Sequence, residues 1–169
     1  METVSVYPNF IPIETSAHLY SKWDCQVVTK THEGIYYKCL EGDGVLQMIN
    51  GNQYEGNFYN GMFHGKGVFK WKTGITYSGD FDSNQLTGKG KFEWPDGSMY
   101  EGEVIKGYRD GFGKYISKKE NYVYEGLWKD GKKEGKGKIV FKDGRSWYEG
   151  EFVNDLKHGM GKMVYPSQN

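Results

Sequence analysis

A chain of 169 residues fits one domain by length, and an aromatic content of 17% supplies the bulk for a buried core although only 37% of the residues are hydrophobic. Twenty-two basic residues balance twenty-two acidic ones, which argues against the basic footprint of a nucleic-acid binder and against a polybasic membrane anchor. Cys25 and Cys39 form no CxxC pair and are too few for a disulfide framework, so the chain reads as intracellular, with a single Cys25 to Cys39 bridge left open.

In chain order, residues 1–31 match nothing that follows and read as a leader or N-terminal cap. They contain no cationic leader, and no apolar run long enough to span a membrane occurs anywhere in the chain. Met1 to Thr15 is expected to be poorly ordered, whereas Trp23, Val27 and Val28 are expected to dock the later part on what comes next. Residues 32–53 form a worn first repeat, in which His32-Glu33-Gly34 is followed by Gly42-x-Gly44.

From Tyr54 the pattern is regular. Tyr54-Glu55-Gly56 is followed by Gly65-x-Gly67, and the block restarts at Tyr77, Tyr100, Tyr124 and Tyr148. The paired glycines recur every 23, 23, 24 and 24 residues, a period that marks a repeat array. The array is predicted to span 32–165, with residues 166–169 as a tail.

Within each block the hydrophobic period is two, so each block predicts two strands. Tyr54, Gly56 and Phe58 share a face in the first strand, as do Gly65, Gly67, Phe69 and Trp71 in the second. The predicted aromatic face continues through Tyr77, Phe81, Trp94, Tyr100, Tyr124, Trp128, Tyr148 and Phe152. Glycines on that face leave room for the rings of neighbouring strands. The opposite face alternates Glu55, Glu101, Glu125 and Glu149 on first strands with Lys91, Lys114, Lys138 and Lys162 on second strands. Such cross-strand pairs are worth ~0.2 to 1 kcal/mol each.

Thr73-Gly74, Asp96-Gly97 and Asp143-Gly144 stand between blocks, where a hairpin needs positive φ. Lys118-Lys119-Glu120-Asn121 lacks the glycine and adds a residue, which predicts a looser, bulged joint. The fold class expected is all-β: an elongated, single-sheet, solenoid-like antiparallel meander of hairpins, stable only as an array.

Tyr-Glu-Gly-x-Phe/Trp-x-x-Gly followed by His-Gly-x-Gly, as in Tyr54 to Gly67, resembles the MORN (membrane occupation and recognition nexus) repeat. More narrowly, Trp94 to Val104, Gly111-Phe112-Gly113 and Trp147-Tyr148-Glu149-Gly150 are similar to the radial spoke head 10 homolog family, of which the chain would be a short relative, isoform or fragment. The resemblance implies a non-catalytic protein-interaction scaffold, structural or docking, in a ciliary or flagellar axoneme. Its partners would be axonemal or cytoskeletal proteins, held in the aromatic groove formed by Tyr54, Phe58, Trp71, Tyr77, Phe81, Trp94, Tyr100, Tyr124, Trp128, Tyr148 and Phe152.

The alternative implied is a membrane-surface adaptor that binds anionic lipid through Lys91, Lys114, Lys138 and Lys162. No catalytic residue, cofactor or metal is expected. The Gly-x-Gly pairs precede no helical pattern that would cradle a phosphate. His64 and His158 lack zinc-ligand spacing. Asp80, Asp82 and Glu103 belong to a solvated surface and not to a pocket. Finally, Gly161 to Tyr165, before Pro166, reads as a sheet edge. Gly161, Met163, Val164 and Tyr165 are the candidates there for docking a partner or a second copy.

Overall fold

The computed structural model describes residues 20–32 and 35–166, and every regular element among them is a β-strand. The chain falls into two compact units, Met1–Gly88 and Lys89–Asn169. The first holds β1 (Tyr20–His32), β2 (Ile35–Met48), β3 (Gln53–Tyr59), β4 (Met62–Lys70) and β5 (Thr76–Asp82). β6 (Gln85–Glu93) runs through the boundary. The second holds β7 (Met99–Ile105), β8 (Tyr108–Ser117), β9 (Tyr122–Lys129), β10 (Lys132–Phe141), β11 (Trp147–Val153) and β12 (Leu156–Val164). Strand order is chain order, and among the described residues β1 does not pair with β12, so the sheet is a meander and not a barrel.

Two glycine jobs explain the Gly-x-Gly spacing. In β4 the first glycine, Gly65, has φ 60° and lies where the register slips from Gly56↔Gly67 to Asn57↔His64. It makes a bulge that a β-carbon would strain. Gly65 is unpaired toward β3 but keeps its expected place in the alternation toward β5, where Gly65↔Phe81, Gly67↔Gly79 and Phe69↔Tyr77 are in step. The second glycine, Gly67, lies under the Tyr54 ring, where an added Cβ would meet Cε2 at 2.7 Å.

The block tyrosine is then locked in place. Tyr54, Tyr77, Tyr100 and Tyr124 are fully buried, and each hydroxyl donates to the carbonyl three residues on, at 2.8 Å for Asn57, 3.1 Å for Asp80, and 2.7 Å for both Glu103 and Leu127. The apolar residue four places after the tyrosine ties one block to the one before. Phe81 meets both Tyr77 and Tyr54 edge-on, at 5.3 and 5.1 Å, and Trp128 meets Tyr124 and Tyr100 at 5.1 and 5.5 Å. This nearest-neighbour coupling is how a repeat array accumulates stability.

The joints at Gly74, Gly97 and Gly144 are turns in which the glycine, at φ 88°, 81° and 67°, donates its N–H to the carbonyl three residues back. A second set of turns, inside the blocks, has positive φ at two successive residues, as at Asn60-Gly61 (51° and 75°) and Ser83-Asn84 (50° and 67°). That pair of angles is the type I′ hairpin, whose twist matches the strands. The joint at 118–121 differs from its expected form. Register is unbroken from Gly111↔Trp128 to Ser117↔Tyr122, with no bulge. Asn121 supplies the positive φ (55°), and the Ser117 hydroxyl accepts the Glu120 N–H at 3.1 Å, so the extra residue is absorbed by the turn.

At the start of the described chain, β1 runs antiparallel to β2 from Tyr20↔Met48 to His32↔Ile35, within the stretch read as leader or cap. Cys39 is a free, buried thiol, so the bridge to Cys25 is not made. The expectation for Met1 to Thr15 lies outside the described residues.

Candidate functional site

Nine of the eleven rings expected to line a groove are core. Tyr54, Phe58, Tyr77, Phe81, Tyr100, Tyr124, Trp128, Tyr148 and Phe152 are all buried against one another, and only Trp71 and Trp94 keep partial exposure. A ring already covered by its neighbours has no surface left for a partner. The aromatic face is thus filled by its own side chains, and what it offers outward is confined to rings at its margin.

A groove of the second unit lies on the other face. It has a volume of about 560 Å³ and crosses β8 to β12, floored by the backbone of Gly126, Gly137 and Gly150. At each of these glycines an added Cβ would meet the Tyr124 or Tyr148 hydroxyl on the opposite face, so the groove side is lined there by backbone alone. Phe112, Val123, Val140 and Met160 form its apolar walls, and Phe112 and Met160 are 51% and 90% exposed.

Charge crosses this face strand by strand. The register sets Glu101 opposite Lys114, Lys114 opposite Glu125, Glu125 opposite Lys138, Lys138 opposite Glu149 and Glu149 opposite Lys162. The Lys138 to Glu149 pair closes to 3.4 Å. Beside this row runs an apolar one, Met99, Ile116, Val123, Val140, Trp147 and Val164, likewise set opposite one another. Lys138 Nζ also lies 4.4 Å from the Trp147 ring centre, a cation–π contact that ties the two rows together. In the first unit the corresponding position is not a ladder, since Glu55 faces Val45 and Val68.

The MORN repeat model matches residues 54–76, 77–99, 100–122, 124–144 and 148–169, well over half of the chain. The chain belongs to the MORN repeat family. No curated protein matches it. It is a MORN-repeat scaffold with a protein-interaction role, whose aromatic motif residues are spent on packing.

Aligning the MORN repeats exposes a column that the motif itself does not contain. At intervals of 23 or 24 residues stand Leu40, Phe63, Leu86, Arg109, Lys133 and Lys157. The first three are buried and apolar, and Phe63 stacks on Tyr54 at 3.9 Å. The last three are cations held over the same tyrosine of their repeats. Arg109 lies 5.9 Å from the Tyr100 ring centre and 4.0 Å from that of Trp128, Lys133 lies 5.7 Å from Tyr124, and Lys157 lies 4.5 Å from Tyr148. Burial pushes the Arg109 and Lys133 pKa values down from their ordinary range. Arg109 also donates to the Gly131 carbonyl at 2.6 Å, pinning the turn of the next repeat.

Other polar candidates in the MORN repeats are structural. His64 faces Asp82 at 3.5 Å, Asp80 pairs with Lys66, and Glu103 accepts the Phe112 N–H at 3.1 Å. Among the described residues no three His, Cys, Asp or Glu side chains gather as a metal site, and no helix is long and apolar enough to cross a membrane. In the fifth repeat, Gly161, Met163 and Val164 pair with Gly150, Tyr148 and Trp147 of β11, while Tyr165 is exposed beyond the strand. Among the described residues no strand pairs with the other side of β12.

Proposed function

We propose that this MORN array is a docking component of a ciliary or flagellar axoneme, radial-spoke-like in role, that holds a protein partner in the glycine-floored groove of its second unit. The observation that carries this reading is the groove itself: walls of Phe112, Val123, Val140 and Met160 stand open beside a charge row, although the fold needs none of them for its core. Trp71 and Trp94 at the aromatic margin, and the β12 edge at 161–165, are secondary contact surfaces under the same reading. Lipid binding is less well supported, because Lys114, Lys138 and Lys162 each stand opposite a glutamate that cancels the attraction to an anionic surface.

The test is localisation of the tagged chain in ciliated cells. The expected result is an axonemal pool that survives detergent extraction and is lost for Val140→Asp, with the melting temperature of that variant unchanged. A wholly detergent-soluble distribution would overturn the reading, as would firm flotation with anionic liposomes at physiological salt.

A further inference from the structure

The chemistry of the groove specifies its occupant further, on the footing that the groove is the docking site. The charge row runs across the strands, so its signs alternate at the inter-strand spacing of about 4.8 Å. An α-helix laid along the groove rises about 5.4 Å per turn. One side chain per helical turn therefore meets one strand, and across the six strands the accumulated mismatch is about 3 Å, within the reach of Lys and Glu side chains. An extended segment fits poorly, because its same-side residues come about every 6.8 Å and fall out of step after one strand.

We propose that the groove takes an amphipathic α-helix of a partner protein, about 19 residues long, whose groove-facing stripe alternates acidic and basic side chains once per turn. Residues flanking that stripe on one side are apolar. They lie on the row that includes Ile116, Val123, Val140 and Trp147, which the register holds beside the charges along the same strands. Alternation of sign makes the match selective, since a helix with like charges in succession meets repulsion at every second strand. The backbone of Gly126, Gly137 and Gly150 lines the groove between the walls of Phe112, Val123, Val140 and Met160.

Two synthetic helical peptides of identical composition test this on the full chain. One carries Lys-Glu-Lys-Glu-Lys-Glu along its stripe, one residue per turn, and the other carries Lys-Glu-Glu-Lys-Lys-Glu at the same positions. The native chain is expected to bind the alternating peptide at least tenfold more tightly. The double variant Glu125→Lys with Lys138→Glu, which turns the protein row into the complement of the second peptide, is expected to reverse the preference while remaining folded, at a somewhat lower melting temperature because it sets like charges opposite Lys114 and Glu149. Equal affinities, or a ranking that the double variant leaves unaltered, overturn the helix. If Val140→Asp still abolishes binding of both peptides in that case, the docking groove stands and only its occupant is wrong. Binding of neither peptide, or a native chain that dimerises and becomes monomeric with Val140→Asp, also overturns the proposal, the latter by showing the groove filled by a second copy.

Discussion

The Tyr54 ring lies directly over Gly67, close enough that a β-carbon on that glycine would meet Cε2 at 2.7 Å, while the Tyr54 hydroxyl donates to the Asn57 carbonyl at 2.8 Å. The ring is fully buried and held at both ends, so it cannot swing aside. Gly67→Ala is therefore expected to lower stability by about 1 to 3 kcal/mol through overpacking. Gly144→Ala is the control. Gly144 has nothing within 4 Å and carries only the positive φ of 67°, so alanine there should cost about 1 to 2 kcal/mol from the left-handed backbone alone. Urea melts of the two variants separate the contributions, and a Gly67→Ala variant as stable as the native chain would mean that the ring is not packed as described.

The same burial sets an alkaline limit. Tyr54, Tyr100 and Tyr124 have pKa values pushed well above the ordinary phenol range by desolvation, and Tyr122 is pushed up to about 12 by the same cause. Below pH 10 both folded and unfolded chains keep these protons, and stability is indifferent to them. As pH rises past 10 the unfolded chain releases them while the folded chain does not, so stability should fall by ~1.4 kcal/mol per pH unit for each fully buried tyrosine. Tyrosinate absorbance should then rise together with the loss of β-sheet circular dichroism. Ionisation of all the tyrosines near pH 10 without unfolding would contradict this packing.

Arg109 occupies a position that is leucine at Leu40 and Leu86, in phase with the repeat. Replacing a buried cation by an apolar residue of similar bulk is often neutral, and the rings of Trp128, Tyr115 and Tyr100 around it suit either. Arg109→Leu is expected to stay within about 1 kcal/mol of the native chain, whereas Arg109→Ala leaves a cavity and should cost roughly 2 to 5 kcal/mol. Thermal denaturation of the two variants checks the order. A large loss with leucine would show that the Gly131 hydrogen bond and the remaining polar contacts of the guanidinium dominate.

How much of this was legible in the sequence depends on whether a residue answers to its neighbours along the chain or to those across it. The spacing of Tyr54, Gly65 and Gly67 shows a repeat, and the period of two around Glu101, Lys114 and Glu125 places the charges on one face, where the register duly pairs them. The burial of nine rings was not legible. Alternation says which residues share a face, but not whether that face is covered by its own side chains, as Trp128 is by Tyr100, Tyr115 and Tyr124. The groove is not legible for a related reason. Val123 and Val140 are outward positions of the same alternation, but alternation does not say that Phe112 of β8 and Met160 of β12 stand with them around one groove.

The tryptophans give the sharpest contrast between the two roles. Trp128 is 3% exposed, meets three tyrosine rings and donates its indole N–H to the Gly113 carbonyl at 3.1 Å. Trp128→Ala should cost about 3 to 5 kcal/mol and lower the melting temperature sharply. Trp71 and Trp94 sit at the margin, partly exposed, with Trp71 tilted against Phe69 at 4.6 Å and Trp94 stacked on Phe92 at 5.8 Å. Alanine at either removes a smaller buried area and should cost about 1 to 2 kcal/mol, in proportion to the apolar surface lost. If Trp94→Ala leaves the melting temperature nearly unchanged but weakens partner capture, the margin is a contact surface. If it destabilises the chain as much as Trp128→Ala, Trp94 belongs to the core and the accessible docking surface reduces to the glycine-floored groove and the β12 edge.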